Sequence, residues 1–381
     1  MKEIYLDYAS TTPIDKKIAT KMYSYIDLSK KKFGNSSGNT HFYSIAAKHA
    51  IENARKQVAK IIHANENEII FTSGATESNN LALLGLASNY KKKHIITSSI
   101  EHKSVLEVCN YLEKKGLSIT YLKPNHHGEI CVEKIKRSIQ NNTALISIMA
   151  VNNELGTCYP LKEIGEICKE KNIIFHVDAA QGIGKIDIDM RNMYINLLSI
   201  SGHKIYAPKG IGALYIRKAP KIKINPIMYG GDQEKKLRAG TLPTHQIVAL
   251  GLGCKIIQER KNYERKKTFF LRTIFLKEIK KLPNIIINTP LNNSYPGIIS
   301  ITFKGIDSET LISRLHNLAI SSGSACNSSS FEPSFVLINI GLTRELADST
   351  LRFSFGRYTS RKNIIFAGKT IVSEIRRMQN L

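Results

Sequence analysis

The chain has 381 residues, 42% of them hydrophobic and 23% charged, proportions that exclude wholesale disorder. A chain of this length buries about three quarters of its unfolded surface, so it needs neither disulfides nor a structural metal, and its length suits two domains of ~150 residues or more. Lys and Arg exceed Asp and Glu by 55 to 31, a net charge of +24 that suits an anionic partner, but 40 of the 55 are lysines spread along the whole chain.

The opening, MKEIYLDYAS, has no apolar core of a secretory signal and no Arg-rich amphipathic stretch, so a cytoplasmic protein is expected. The longest mainly apolar run, residues 144–151, falls far short of the ~20 residues of a membrane helix. Strands are predicted at 68–72, 94–97, 118–122, 144–150, 173–177, 197–199 and 212–216, with amphipathic helices such as 104–115 and 161–171 between them. Continuous apolar runs separated by helices predict a mainly parallel sheet covered on both faces. A charged helix over 262–282 follows. Apolar stretches at 297–303 and 351–355, with a helix at 308–319 between them, then predict a smaller α+β unit, and residues 362–378 a final helix. The expected division is a large domain over 13–260 and a small one formed by 1–12 and 261–381.

Ligands of such sheets sit at the carboxyl ends of the strands, so the polar segments after the apolar runs carry the chemistry. Thr72-Ser73-Gly74-Ala75-Thr76-Glu77-Ser78 opens a helix, where a glycine and the first amides can hold a phosphate; an ordinary helix cap has the same composition. His176-Val177-Asp178-Ala179-Ala180-Gln181 ends a strand in a carboxylate, either a structural acid or the partner of a protonated ring nitrogen. Ser201-Gly202-His203-Lys204 ends another in a lysine, which is a solvated residue or an amine ready to form an imine. Lys209, in a Pro-Lys-Gly turn, is its rival. None of these is specific alone. In this order, a phosphate site, an acid and a lysine point to pyridoxal 5′-phosphate.

At YLDYASTTP, FTSGATESNN, HIITSSIEHKSVL, VNNELG, HVDAAQ, SGHKIYAPKGIGALY, RAGTLPTHQIV, SSGSAC and LRFSFGRYT the chain resembles the cysteine desulfurases of the IscS/NifS type. These are fold-type I, aspartate aminotransferase-like pyridoxal-phosphate enzymes related to class V aminotransferases. The resemblance runs in unbroken order over essentially the whole chain. It implies a large domain with a mainly parallel seven-stranded sheet and a smaller α+β domain. It also implies that Lys204 holds the cofactor, Asp178 pairs with its ring nitrogen and Gln181 faces its ring hydroxyl. Ala75, Thr76, Ser201 and His203 would hold the phosphate, with Thr241 from the partner subunit of a homodimer. His102 would stack on the ring and move protons, while Asn153 and Arg352 would meet cofactor and substrate carboxylate, with Asn35 nearby.

Six cysteines are present, none in a CxxC or other metal-ligand spacing, so no metal is expected. Cys109, Cys131, Cys158, Cys168 and Cys254 lie in apolar or helical patterns, where a thiol is a small buried hydrophobe. Cys326 lies in a small polar run, within a mobile cysteine loop at about 321–334, where a thiolate nucleophile is accessible. The resemblance makes it the acceptor of sulfur from L-cysteine, which leaves as L-alanine. The resulting persulfide would serve iron–sulfur cluster assembly and tRNA thiolation. The SSGSAC loop is longer than that of the SufS-like desulfurases. Ser36 stands where relatives have Pro, and Ala9-Ser10 where they have Ser-Ala. The sequence stops at Leu381, short of the segment with which bacterial relatives dock the iron–sulfur scaffold protein. Alternatives are a related lyase for selenocysteine or cysteine sulfinate and, from another class, a basic nucleic-acid-binding protein. Against the latter, Lys30–Lys32 and Lys91–Lys93 carry no interleaved aromatics.

Overall fold

The computed structural model describes residues 3–88, 93–322 and 332–379. Its strands are β1 (Ile4–Tyr5), β2 (Ile69–Thr72), β3 (His94–Ser98), β4 (Ser118–Leu122), β5 (Thr143–Ser147), β6 (Ile174–Asp178), β7 (Leu197–Ser201), β8 (Gly212–Ile216), β9 (Ile285–Ile287), β10 (Ile298–Phe303), β11 (Leu318–Ala319) and β12 (Thr350–Ser354). Strands β2 to β8 form one sheet in the order β2-β8-β7-β6-β5-β3-β4. All neighbours are parallel except β8, which runs against both β2 and β7. Most of these strands are buried on both faces, because alternate residues enter different cores. Ile69 and Phe71 pack on one side of the sheet and Ile70 on the other.

Helices α1 (Lys16–Tyr23), α2 (Phe42–Ile61), α3 (Ala75–Ala87), α4 (Lys103–Lys114), α5 (Val132–Ser138), α6 (Leu161–Glu170) and α7 (Thr244–Ile279) surround the sheet. One face meets Leu81 and Leu86 of α3 with Val105, Val108, Cys109 and Leu112 of α4, whose spacing makes a single apolar stripe. The other face meets Val58 of α2, Ile164 of α6 and Leu250 of α7.

A second core lies beyond the sheet. Strands β12, β10 and β9 pair antiparallel in that order, and β1 pairs parallel with β11. Leu271, Phe275 and Ile279 from the end of α7 pack there with Leu6, Ile301 and Phe353. Helices α8 (Ser308–Arg314), α9 (Phe335–Asn339), α10 (Arg344–Asp348) and α11 (Arg361–Met378) complete the chain. Among the described residues no helix is long and apolar enough to cross a membrane.

Three expectations are corrected. The helix expected over 308–319 stops at Arg314, because Leu318 and Ala319 pair with Ile4 and Tyr5 instead. The strand expected over 144–150 ends at Ser147, although Ile148 and Ala150 still donate their amides to His176 and Asp178. The helix expected from 262 begins at Thr244. Its first turns carry apolar side chains against the sheet, so they lack the charged pattern of the later turns.

Candidate active site

The carboxyl ends of β2, β6 and β7 open onto a cavity of about 540 Å³. Its floor begins where β2 turns into α3. Gly74 takes a φ of +156°, backbone essentially reserved for glycine. It caps α3 without a side-chain hydrogen bond, which leaves the first-turn amides at Ala75 and Thr76 to meet an anion. Gly212 closes the other side: a Cβ there would lie 2.4 Å from the Ile200 oxygen and 2.6 Å from Gly74 Cα. Ser201 and His203, from the end of β7, line the same end of the cavity. Burial and the charge of Lys204 push the His203 imidazole down to about 4.

Asp178 ends β6 with 5% exposure and faces the cavity. Its carboxylate accepts from the Ala180 amide at 2.9 Å and from Asn79 Nδ2 at 2.8 Å. Lys204 reaches across to the chain start and donates to the Ala9 and Ser10 oxygens at 2.5 and 2.6 Å. Gln181 donates to Ala9 O at 2.7 Å and accepts from Lys185, whose amine burial holds well below the ordinary lysine range. His102 caps α4, with Nδ1 2.8 Å from Ser104 Oγ. Lys209, the rival lysine, is exposed at the rim.

Arg352, 4% exposed, comes from the centre of β12 and also lines the cavity. It donates to Asn153 O at 2.9 Å, to Asp7 Oδ1 at 2.8 Å and to Ser10 Oγ at 2.7 Å, while its buried Nε has no hydrogen-bond partner among the described residues. The neighbouring asparagines divide their work. Asn152 turns inward and accepts from the Glu154 and Leu155 amides, each at 2.9 Å, so the turn presents Asn153 to the cavity. Glu154 is buried there, accepts from Ser334 Oγ at 2.5 Å, and has its carboxyl pushed up to about 7 by desolvation.

The cavity therefore gathers Ala75, Thr76, His102, Asn153, Asp178, Gln181, Ser201, His203, Lys204 and Arg352. It does not gather Asn35 or Thr241, both exposed. The Asn35 side chain is occupied locally, accepting from the Ser37 amide at 3.0 Å. Cys326 lies outside the described residues. Of the other cysteines, Cys109, Cys168 and Cys254 are buried as expected and Cys158 is partly so, but Cys131 is exposed because it caps the surface helix α5. Burial pushes the thiols of Cys109, Cys158 and Cys254 up to about 12, 11 and 12.

Several residues at the site carried no sequence signal that sets them apart: Asp7, Asn79, Glu101, Glu154 and Lys185. Glu101 is fully buried between His102 and the sheet, accepts from the Met149 amide at 2.8 Å, and desolvation holds its carboxyl well above the usual range. Their proximity to quoted motifs is the one hint available, since each lies within or beside LDYAS, TESNN, IEHK, NNEL or AAQGIGK.

The class-V aminotransferase family model matches residues 4–365. The chain is 48% identical to the cysteine desulfurase IscS of Buchnera aphidicola subsp. Baizongia pistaciae, over 99% of this chain and 94% of that protein. To the IscS of Rickettsia prowazekii it is 47% identical, over 99% and 92%. A solved NifS-like protein superposes with a TM-score of 0.90 at 33% identity over the full length of both chains. A structure described as SspA in complex with cysteine superposes with 0.83 at 40% identity, over 93% of this chain and 99% of that one. The chain belongs to the class-V aminotransferase family and has the fold-type I architecture. The family's cofactor, pyridoxal 5′-phosphate, fits the residues present. An uncapped helix start packed glycine against glycine suits its phosphate, a buried carboxylate its ring nitrogen, and a cavity-facing amine its aldehyde.

Proposed function

We propose that this chain is a cysteine desulfurase that takes sulfur from L-cysteine, releases L-alanine and leaves a persulfide on Cys326. One observation carries the reading: Lys204, Asp178 and the glycine-floored helix start face Arg352 across a single cavity. The relatives named cysteine desulfurase IscS and the structure described as SspA in complex with cysteine support this substrate.

When bound, pyridoxal phosphate supplies an electron sink for charge that develops at the substrate α-carbon. The chain's residues do the rest. Arg352 offers its guanidinium to the substrate carboxylate, pre-aimed by Asp7 and Ser10. Asn153 stands beside it, and Lys204 would hold the cofactor and move the α-proton at Nζ. Ala75, Thr76, Ser201 and His203 hold the phosphate, and Thr241 joins them from the second copy of a homodimer. Gln181 orients the ring hydroxyl and His102 covers the ring. The Cys326 thiolate would bond to the substrate sulfur as the Cβ–S bond breaks with its electron pair passing to carbon; the β-carbon then takes up a proton and the α-carbon regains the one Lys204 removed, giving alanine.

Two flanking facts support Cys326. Ser321 pairs with Arg352, and Ser334 lines the cavity beside Glu154, so described residues on either side of Cys326 in the sequence stand at the site. Asn35 lies away from the cavity of its own chain, so if it contributes it does so across the homodimer. The two cores suggest a large unit over 13–260 and a small one from 1–12 and 261–381. We assign the persulfide to cytoplasmic acceptors for iron–sulfur assembly and tRNA thiolation.

The test is a visible spectrum of the purified protein, followed by L-cysteine with alanine and trapped persulfide read out. An absorbance band that shifts on addition, with alanine formed and label on Cys326, is the expected result. A colourless protein that pyridoxal phosphate cannot reconstitute would sink the reading. Lys204→Ala should cut alanine formation by roughly 10²–10⁴-fold or more, the scale of a lost acid–base group, and Cys326→Ala should abolish protein-bound persulfide.

A further inference from the structure

The hydrogen bonds beneath the cavity have a fixed direction. The Asp178 carboxylate only accepts, so Asn79 must turn its nitrogen toward it, at 2.8 Å. The second hydrogen of that nitrogen goes to Ser104 Oγ, also at 2.8 Å. With that lone pair occupied, the Ser104 hydroxyl hydrogen is directed to its other neighbour, His102 Nδ1, 2.8 Å away. The backbone N–H of Ser104 donates to the same atom at 3.1 Å. An imidazole nitrogen that receives two hydrogen bonds carries no hydrogen of its own, so the ring hydrogen belongs on Nε2. Asn79 is 0% exposed, and among the described residues its Oδ1 meets no hydrogen-bond partner, so the direction of its amide is set by Asp178 and Ser104.

We propose that Asn79 is a positioning residue that reads the Asp178 carboxylate and, through Ser104, fixes His102 as the neutral ring with hydrogen on Nε2. The inference rests on the reading above, in which Asp178 would pair with the ring nitrogen of the cofactor and His102 would cover its ring. It adds that the two are wired together, so the acid meant for the ring nitrogen decides which nitrogen of the covering histidine can donate. A histidine held this way offers a hydrogen-bond donor from Nε2, and it cannot exchange that role with Nδ1 while the relay is intact.

The experiment is nitrogen NMR of the cofactor-loaded protein carrying ¹⁵N-histidine, with the His102 signals assigned by their loss in His102→Gln. The wild type is expected to hold its hydrogen on Nε2 by roughly tenfold or more over Nδ1, the preference that two directed hydrogen bonds give. Asn79→Ala should cut that preference severalfold. Ser104→Ala keeps the Asn79–Asp178 bond and should cut it too, and it decides the matter if Asn79→Ala does not fold. A wild-type ring protonated on Nδ1 overturns the proposal, as does a folded Asn79→Ala with wild-type populations. With Asn79→Ala unfolded, unchanged populations in Ser104→Ala do the same. Alanine release from L-cysteine, measured on the wild type alone, tests the functional reading separately.

Discussion

Glu154 and His203 face one cavity and hold protons in opposite senses: desolvation raises the carboxyl to about 7 and lowers the imidazole to about 4. For Glu154 the consequence for stability has a definite sign. The folded carboxyl binds its proton more tightly than an ordinary one of 4.5, so its stabilisation is complete below that pH and is lost as pH rises through about 7. Glu154→Gln keeps a partner for Ser334 without the titration. Relative to that variant, the wild type should lose up to about 3 kcal/mol between about pH 5 and pH 8. Denaturant midpoints of both proteins at the two pH values check it, and parallel pH curves would refute it. The same scale shows where sequence reading stops. His176 and His203 each stand in a quoted motif, yet His176 is buried between Ser147 and Ser199, with Nδ1 at 2.8 Å and Nε2 at 3.1 Å, while His203 lines the cavity. Place along the strand decides that: His176 shares a face with Asp178 but lies inside β6, enclosed by β5 and β7, whereas Asp178 ends the strand at the cavity. The exposure of Lys209 was legible, because a Pro-Lys-Gly turn points its side chain outward.

Among the elements, the β2-to-α3 turn is the most exacting. Gly212 on β8 meets two backbone groups of its neighbours, and backbone cannot step aside as a flexible side chain can. Gly212→Ala should cost about 1–3 kcal/mol by overpacking and loosen the hold on pyridoxal phosphate. Thermal unfolding and retention of the visible band after dialysis measure the two effects; an unchanged midpoint with full retention would count against the cradle. A neighbouring loop is pinned to the same strand. Arg55 makes a two-pronged, buried ion pair with Glu234 at 2.7 and 2.8 Å, and Glu234 also accepts from the Phe71 amide at 2.7 Å. Glu234→Ala leaves that guanidinium buried without its carboxylate, and a loss of roughly 3–5 kcal/mol in denaturant unfolding is expected. The central strands were legible because burial on both faces writes an unbroken apolar run. The fate of residues 315–319 was not, because their partner is Ile4–Tyr5, some 300 residues away in sequence, and local periodicity carries no trace of it.

For the whole molecule, α7 is the beam that joins the two cores. Ile247, Leu250 and Ile257 belong to the sheet's core, and Leu271, Phe275 and Ile279 to the second, with no break in the helix between them. The wild type should therefore unfold in one transition. Asn262→Pro, at an exposed position between the two sets, should cost roughly 3 kcal/mol and split that transition in calorimetry; a single transition of undiminished sharpness would contradict the coupling. The site, too, draws on both ends of the chain, for Ala9 and Ser10 receive Lys204 while Ser10 and Asp7 receive Arg352. That arrangement has a meaning during synthesis. A ribosome that has delivered the first three hundred residues has released the cradle, the lysine and the acid, but neither Cys326 nor Arg352. On the proposed roles, a stalled or clipped chain of that length would hold neither the guanidinium meant for the substrate carboxylate nor the thiol meant to receive sulfur, so it is expected to release no sulfur from L-cysteine.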